Sequence, residues 1–318
     1  MHLKKISNDK RNKQGRIPFL DMTHGSFAFL WRVSEGGYSV NNTLEIDPNQ
    51  IDVDWIDQQP PWLVPEGKTL RQYPPLAEPT LHREFGDLGE TEEAMMKFAG
   101  KYGLLGHDVI LAQAKGSEVI LGESVGRWKQ EIQQMSVLLT IWDLVYDKME
   151  GKLRQIVSWP SIDRITLELE WERANGRCEV YSPTKLKDWP SQTKGYSRGR
   201  IREVLSSPQH EPQLLERWRR GDVMEPALYY VCLQVNKRLR NQVCPQVLPF
   251  RGKEMRLFPD SLLSAMYLMF MWEIAGETKV LLCAGCGSWA EQKDPRQKHC
   301  SGACKQRVYR RRINLKEG

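Results

Sequence analysis

A chain of 318 residues has room for about two domains of ordinary size. Its 40% apolar and 27% charged residues exclude both a disulfide-stapled miniprotein and a disordered or fibrous chain. The net charge of +6 is concentrated: residues 292–318 hold nine basic and two acidic side chains, which leaves about −1 for everything before them.

The first sixteen residues are basic from Lys4 onward but lead into no apolar run, so they are expected to form a solvated tail (residues 1–18) and not a signal peptide. From Phe19 to Tyr38, apolar and small polar residues alternate and could supply one or two strands. Ile46 to Pro79 carries seven of the eighteen prolines, which remove backbone donors and disfavour helix, so residues 19–90 are expected to be extended and packed on a main domain.

Residues 91–278 are predicted to be mainly helical. Glu92 to Leu104 reads as a helix stopped near Gly103. From Ser124, Val125, Trp128, Ile132, Met135, Leu139, Trp142, Val145 and Met149 recur at intervals of three and four, giving a helix of about 26 residues packed along one face. Ile165, Leu167, Leu169 and Trp171 then alternate with polar residues, and Asn175-Gly176 supplies the positive-φ turn of a β-hairpin ending near Tyr181. Helices are expected to flank Ser206 to Pro212. Pro226 opens another running to about Arg240, and Asp260 caps a nearly all-apolar helix running to about Ala275. The longest uncharged stretch, Ser261 to Trp272, has twelve residues against the roughly 18 needed to cross a bilayer, so no membrane span is expected.

The last segment, residues 279–318, carries the most information. Cys283-Ala284-Gly285-Cys286 is followed, after thirteen residues, by Cys300-Ser301-Gly302-Ala303-Cys304. Two close thiolate pairs are what a tetrahedral zinc ion takes, and four protein ligands leave no open position, so one structural zinc per chain is expected at Cys283, Cys286, Cys300 and Cys304. An iron–sulfur cluster and two redox dithiols are the competing readings, and His299 is the competing ligand to Cys300. The first pair suits a tight knuckle. The second opens a helix with Ser301 as N-cap, a treble-clef-like arrangement. Seven cysteines with four clustered, and no signal peptide, place the chain in a reducing cytoplasm.

Beyond Cys304 the helix presents Lys305, Gln306, Arg307, Tyr309, Arg310, Arg311 and Arg312. Guanidinium groups interleaved with a tyrosine and a glutamine suit phosphate contact, base-edge hydrogen bonding and stacking, so DNA or RNA is the expected partner. The CxxCG, the RQKHCSGACKQRVYRRR run and Trp289 resemble the zinc module of the CGNR zinc-finger family of bacterial DNA-binding regulators. That resemblance implies the same four ligands, a nucleic-acid surface from Lys305 to Arg312 and a role in transcription regulation. It spans about 35 residues, and the name-giving Cys-Gly-Asn-Arg stands here as Cys304-Lys305-Gln306-Arg307. The segments EFGDL, KFAGKYGLLG and GESVGRW resemble bacterial proteins that end in the same module.

His24, His82, His107 and His210 show no ligand spacing, and neither the pair Asp143 and Asp147 nor Asp260 with Glu273 makes a recognisable catalytic motif. The sequence therefore describes an α+β protein: a mostly helical N-terminal domain with one β-hairpin, joined to a small treble-clef-like zinc module with four cysteine ligands. The expected role is that of a zinc-containing nucleic-acid-binding regulator whose larger domain senses a ligand, forms a homodimer or binds a protein partner. A protein-interaction module and an enzyme with an unrecognised site in the helical domain are the alternatives.

Overall fold

The computed structural model describes residues 29–46, 60–107, 109–112, 120–183, 196–248 and 254–314. The basic tail, His24, residues 19–28 and the middle of the proline-rich stretch lie outside the described residues.

In chain order the elements are strands β1 (Trp31–Ser34), β2 (Tyr38–Asn41), β3 (Glu45–Ile46), β4 (Trp62–Pro65) and β5 (Leu70–Tyr73), then helices α1 (Leu81–Gly86) and α2 (Glu92–Tyr102). Strands β6 (Val109–Ala112) and β7 (Ile120–Ser124) lead into α3 (Val125–Tyr146) and α4 (Glu150–Leu153). Strands β8 (Val157–Ser161), β9 (Arg164–Ala174), β10 (Arg177–Tyr181) and β11 (Tyr196–Ser206) precede α5 (Gln213–Arg217) and α6 (Met224–Leu239). Strands β12 (Val243–Leu248) and β13 (Glu254–Pro259), helix α7 (Leu262–Ile274), strands β14 (Val280–Leu282) and β15 (Trp289–Glu291), and helix α8 (Gly302–Asn314) complete the chain. The strands pair antiparallel in a five-stranded sheet (β2-β4-β7-β6-β3), a four-stranded sheet built on β9, and three two-stranded ribbons.

The body is thus mixed, where a mostly helical domain with one hairpin was expected. The hairpin is there: Asn175 and Gly176 both have positive φ (51° and 80°), as a two-residue turn between twisted strands requires. A Cβ on Gly176 would stand 2.1 Å from the Asp87 carbonyl oxygen, so the turn also needs glycine for its close approach to the α1–α2 connection. The hairpin is only part of its sheet, because β11 pairs with the other edge of β9 over most of its length. Residues before Ser206 are therefore strand and not the helix expected there. The register sets Arg198, Arg200 and Arg202 opposite Glu172, Glu170 and Glu168, and this alternation of charge, not of apolar residues, is what marks β11 in the sequence.

Helix α3 is 22 residues long and is buried on more than the single expected face: Val137, Leu138, Ile141 and Leu144 are covered as well as the predicted stripe, while Met149 lies beyond its end and is exposed. One continuous apolar core runs from Phe29 to Phe270 and includes Trp128, Phe85, Phe98 and Tyr267. The cap of α7 is Ser261 and not Asp260. The Ser261 hydroxyl accepts from the Ser264 amide (3.1 Å), and the Ser264 hydroxyl accepts from the Ser261 amide (2.9 Å) while donating to Asp260 (2.8 Å). Two serines at this spacing satisfy two helix-end donors, so the aspartate acts only behind them.

Among the described residues, two buried ionic clusters tie the core elements together. Arg173, on the inward face of β9, pairs with Glu90 (3.0 Å) and donates to the Gly86 and Leu88 carbonyls and to Ser136 (3.1 Å), which ties the sheet to α1 and α3. Glu273 of α7 accepts from Arg83, from Trp142 Nε1 (3.0 Å) and shares a 2.6 Å hydrogen bond with His82 Nε2. Arg83 also reaches Asp143 at 2.8 Å, so Asp143 is part of this network and not a merely solvated edge. Among the described residues, the carboxylates of Asp143 and Glu273 converge on counter-charges, which is a structural arrangement and not an open acid–base pair.

These contacts set a pH dependence. Burial alone would raise the Glu273 carboxyl, but hydrogen bonds from His82 and Arg83 outweigh it and hold the group at about 2, from an ordinary 4.5. Its stabilisation is complete above pH 4.5 and is lost as pH falls toward 2. Burial pushes His82 below 6.5, so the unfolded chain takes up that proton first and stability declines below pH 6.5 as well. Burial raises the Asp143 carboxyl to about 6, which opposes the decline between 6 and 3.8, though its 45% exposed side chain weakens the effect. The melting temperature of the full chain is expected to decline gently below pH 6.5, as His82 favours the unfolded chain, and to fall steeply below 4.5, as scanning calorimetry would record. A flat profile from about 4.5 to about 3 would contradict the assigned role of Glu273.

Candidate metal centre and basic helix

Strands β14 and β15 form a short hairpin whose connection carries the first cysteine pair. The Gly287 amide bonds to the Cys283 carbonyl (2.9 Å) and Gly287 takes φ of 70°, the left-handed geometry that closes the knuckle. A Cβ on Gly285 would stand 2.9 Å from Cys304 Sγ, so the glycine between the cysteines lets the backbone approach the sulfur of the second pair. The loop from β15 to α8 is organised by Gln292 and Gln297. The Gln292 amide donates to the Lys279 carbonyl (2.7 Å), and the Gln297 side chain accepts from the Lys293 amide (3.0 Å). Ser301 caps α8 by accepting from the Cys304 amide at 3.2 Å, as the sequence predicts.

These elements bring the four sulfurs of Cys283, Cys286, Cys300 and Cys304 within 4.8 Å of one another, so the cluster could hold a metal ion. Cys283 and Cys304 are 3.7 Å apart, as are Cys286 and Cys300. A tetrahedral ion about 2.3 Å from each sulfur needs edges of about 3.8 Å, whereas a disulfide needs sulfurs about 2.0 Å apart. The donor set therefore fits a metal and not a pair of disulfides. His299 is not among the clustered ligand atoms. Cys283 and Cys304 are buried, while Cys286 and Cys300 lie at the surface.

Backbone donors prepare the site for negative sulfur. The Cys300 amide (3.3 Å) and the Gly285 amide (3.4 Å) point at Cys283 Sγ, and the Cys300 amide foremost holds that thiol down at about 5. Cys304, hydrogen-bonded to the same sulfur at 3.7 Å, is pushed up to about 12. Four thiolates so close repel one another, and a divalent cation at their centre is what permits all four to ionise.

Of the residues expected to contact nucleic acid, Lys305, Gln306, Arg307, Tyr309 and Arg310 are exposed on α8, with Tyr309 at 66%. Val308 turns inward against Gly285. Arg311 and Arg312 belong to the helix, but their side chains lie outside the described residues.

Sequence reasoning assigned no partner to Trp289. Its Nε1 donates to Asp87 (2.6 Å), and the Arg83 guanidinium lies 4.7 Å from its ring centre. The metal-ligand hairpin is thereby fastened to α1 at the buried Glu273 network. Nothing at a sequence separation of about two hundred residues announces that pairing. Among the described residues, no helix is long and apolar enough to cross a membrane. Compared with known proteins, the chain matches no family model, no curated protein and no solved structure.

Proposed function

We propose that the C-terminal module is a treble-clef-like structural zinc site that presents a nucleic-acid-binding helix, and that the chain is a bacterial transcription regulator. The observation that carries this reading is the coincidence of a four-cysteine centre with a helix whose exposed face is Lys305, Gln306, Arg307, Tyr309 and Arg310, continued by Arg311 and Arg312, in a segment that holds the chain's whole charge excess. Four thiolates in a closed site favour zinc, which binds them tetrahedrally and without redox change. Zinc would fix the start of α8, and the exposed basic face would then track a phosphate backbone while Tyr309 and Gln306 read or stack on bases.

If Lys305, Arg310, Arg311 and Arg312 meet phosphates, log affinity should fall with log salt at about −0.9 per contact, or about −3 to −4 in all. Replacing Arg310, Arg311 and Arg312 together by glutamine is expected to weaken binding to every sequence and to flatten that slope, with zinc content unchanged. An unchanged slope would show these charges to be a solvated tail. A second reading, docking on a protein partner, draws on Leu282, an apolar side chain 53% exposed on the same module. Wild-type protein without affinity for DNA or RNA at about 50 mM salt would transfer the assignment to that reading.

A further inference from the structure

A cleft of about 360 Å³ opens between α3, α6 and the inward face of the sheet built on β9, and none of its lining residues belongs to the metal module. Helix α3 meets it through one face, because Gln130, Gln133, Gln134, Val137 and Leu138 recur at intervals of three and four. The face that packs as core at Val137 and Leu138 thus turns to amides in the preceding turns. Tyr230 and Gln234 reach the cleft from α6, and Trp171 and Ile201 from β9 and β11. The register sets Gly199 opposite Trp171, where a Cβ would stand 2.7 Å from the indole ring, so glycine lets the ring lie down on β11.

Polar seams between packed elements are commonly just hydrated. Here two further observations point to a ligand. Tyr230 and Trp171 are only 4% and 8% exposed, yet neither the Tyr230 hydroxyl nor Trp171 Nε1 has a hydrogen-bond partner among the described residues, and both atoms stay open, unlike the sealed Tyr267 hydroxyl. Tyrosines and tryptophans buried to this extent usually find a partner for their polar ends. In addition, two of the amides are held in opposite senses. Gln133 Nε2 donates to Glu90 (2.7 Å), itself paired with Arg173, while Gln134 Oε1 accepts from Arg238. A carboxylate takes only the amide nitrogen and a guanidinium only its oxygen, so Gln133 keeps a free acceptor and its neighbour Gln134 a free donor.

The two charges that line the cleft cancel, since Glu203 and Lys237 pair at 3.4 Å. Nothing in the lining therefore selects an anion or a cation. Val137, Leu138 and Ile201 wall it with apolar surface, against which a sugar would strand some of its hydroxyls. A planar heterocycle buries its faces against such walls and carries its donors and acceptors at the edge. We propose that this cleft binds an uncharged nucleobase or nucleoside, whose edge is met by the Gln133 carbonyl, the Gln134 and Gln234 amides and the Tyr230 hydroxyl. Unstacked bases are read by the same means, with hydrogen bonds to their edges and aromatic or apolar contact to their faces. The volume lies at the lower end of small-molecule pockets, which suits one nucleoside and not a strand.

Calorimetric titration of the full metal-loaded chain with adenosine, guanosine, cytidine and uridine is the test. At least one of the four is expected to saturate at one per chain, with affinity lowered about tenfold in Gln234→Leu and severalfold in Tyr230→Phe. Tyr230→Phe removes an unpartnered hydroxyl, so the ligand-free protein is expected to melt no lower than wild type while losing part of the nucleoside-dependent rise. Because a nucleoside carries no charge, its affinity should hold steady between about 50 and about 200 mM salt, a range over which a polyanion on α8 would weaken steeply. Glucose binding as tightly as any nucleoside overturns the base assignment, and tighter binding of the matching 5′-monophosphate overturns the uncharged one. Absence of saturable binding by all four, or binding abolished by Arg307→Gln with Arg310→Gln yet intact in Gln234→Leu, would overturn the proposal. None of these results bears on whether zinc is bound or on the salt slope for DNA.

Discussion

Elemental analysis of the purified chain is expected to return one zinc per polypeptide, and Cys300→Ala is expected to unfold the last 35 or so residues while the body stays folded. The physical reason is size. The module owns two three-residue strands and one helix rich in charge, and units below about 40 residues rarely assemble a sufficient core without a metal or a disulfide. Zinc held by peptides of this kind contributes about 10–16 kcal/mol, which is then the folding free energy of the module. The body does not share this dependence, because α7 packs on α1, α6 and β13, all of which precede the module. A chain ending near Gly276 should therefore melt cooperatively, and a molten product would mean that the module is needed as a cover. The substitution has a local readout in Trp289, whose ring lies against Arg83 only while the hairpin is formed, so its fluorescence should report loss of docking. Iron in place of zinc, or metal-free protein purified without chelator, would defeat the zinc assignment.

Glu273→Leu is expected to be among the most damaging single substitutions in the body, at about 3–5 kcal/mol, because it leaves the Arg83 guanidinium buried with only the half-exposed Asp143 to pair with. It also strips acceptors from Trp142 Nε1 and His82 Nε2. For a chain of this size such a loss lowers the melting temperature by roughly 6–20 °C. The companion experiment is Arg83→Met combined with Glu273→Leu. If the damage comes from an uncompensated charge, the double variant should recover much of the stability, since apolar replacement of a whole buried pair is often neutral. It should nevertheless lose the Arg83–Trp289 contact, so body stability and module docking would part company. Equal damage in the single and double variants would instead mean that packing volume, and not charge, is what Glu273 supplies.

Local chemistry determined what the sequence could reveal. The Cys-x2-Cys and Cys-x3-Cys spacings place thiols on a knuckle and on the first turn of a helix, and both features depend on residues within about twenty positions of one another. The same holds for the Asn175-Gly176 turn, the Ser301 cap, the stop of α2 at Gly103 and the exposed basic face of α8, because each is fixed by backbone preferences or helical period. Strand β11 was missed because its inward face is shared with small and polar residues, so the alternation lies in its arginines and makes sense only against the glutamates of β9. Helix α3 showed a single stripe in sequence, yet it is surrounded by elements that no periodicity encodes. Tertiary structure alone decided the remainder. It set Glu273 against His82 and Arg83 across some 190 residues and fastened Trp289 to α1. Such contacts depend on which faces meet in a close-packed core, and a buried ion pair becomes visible only once water has been excluded from around it.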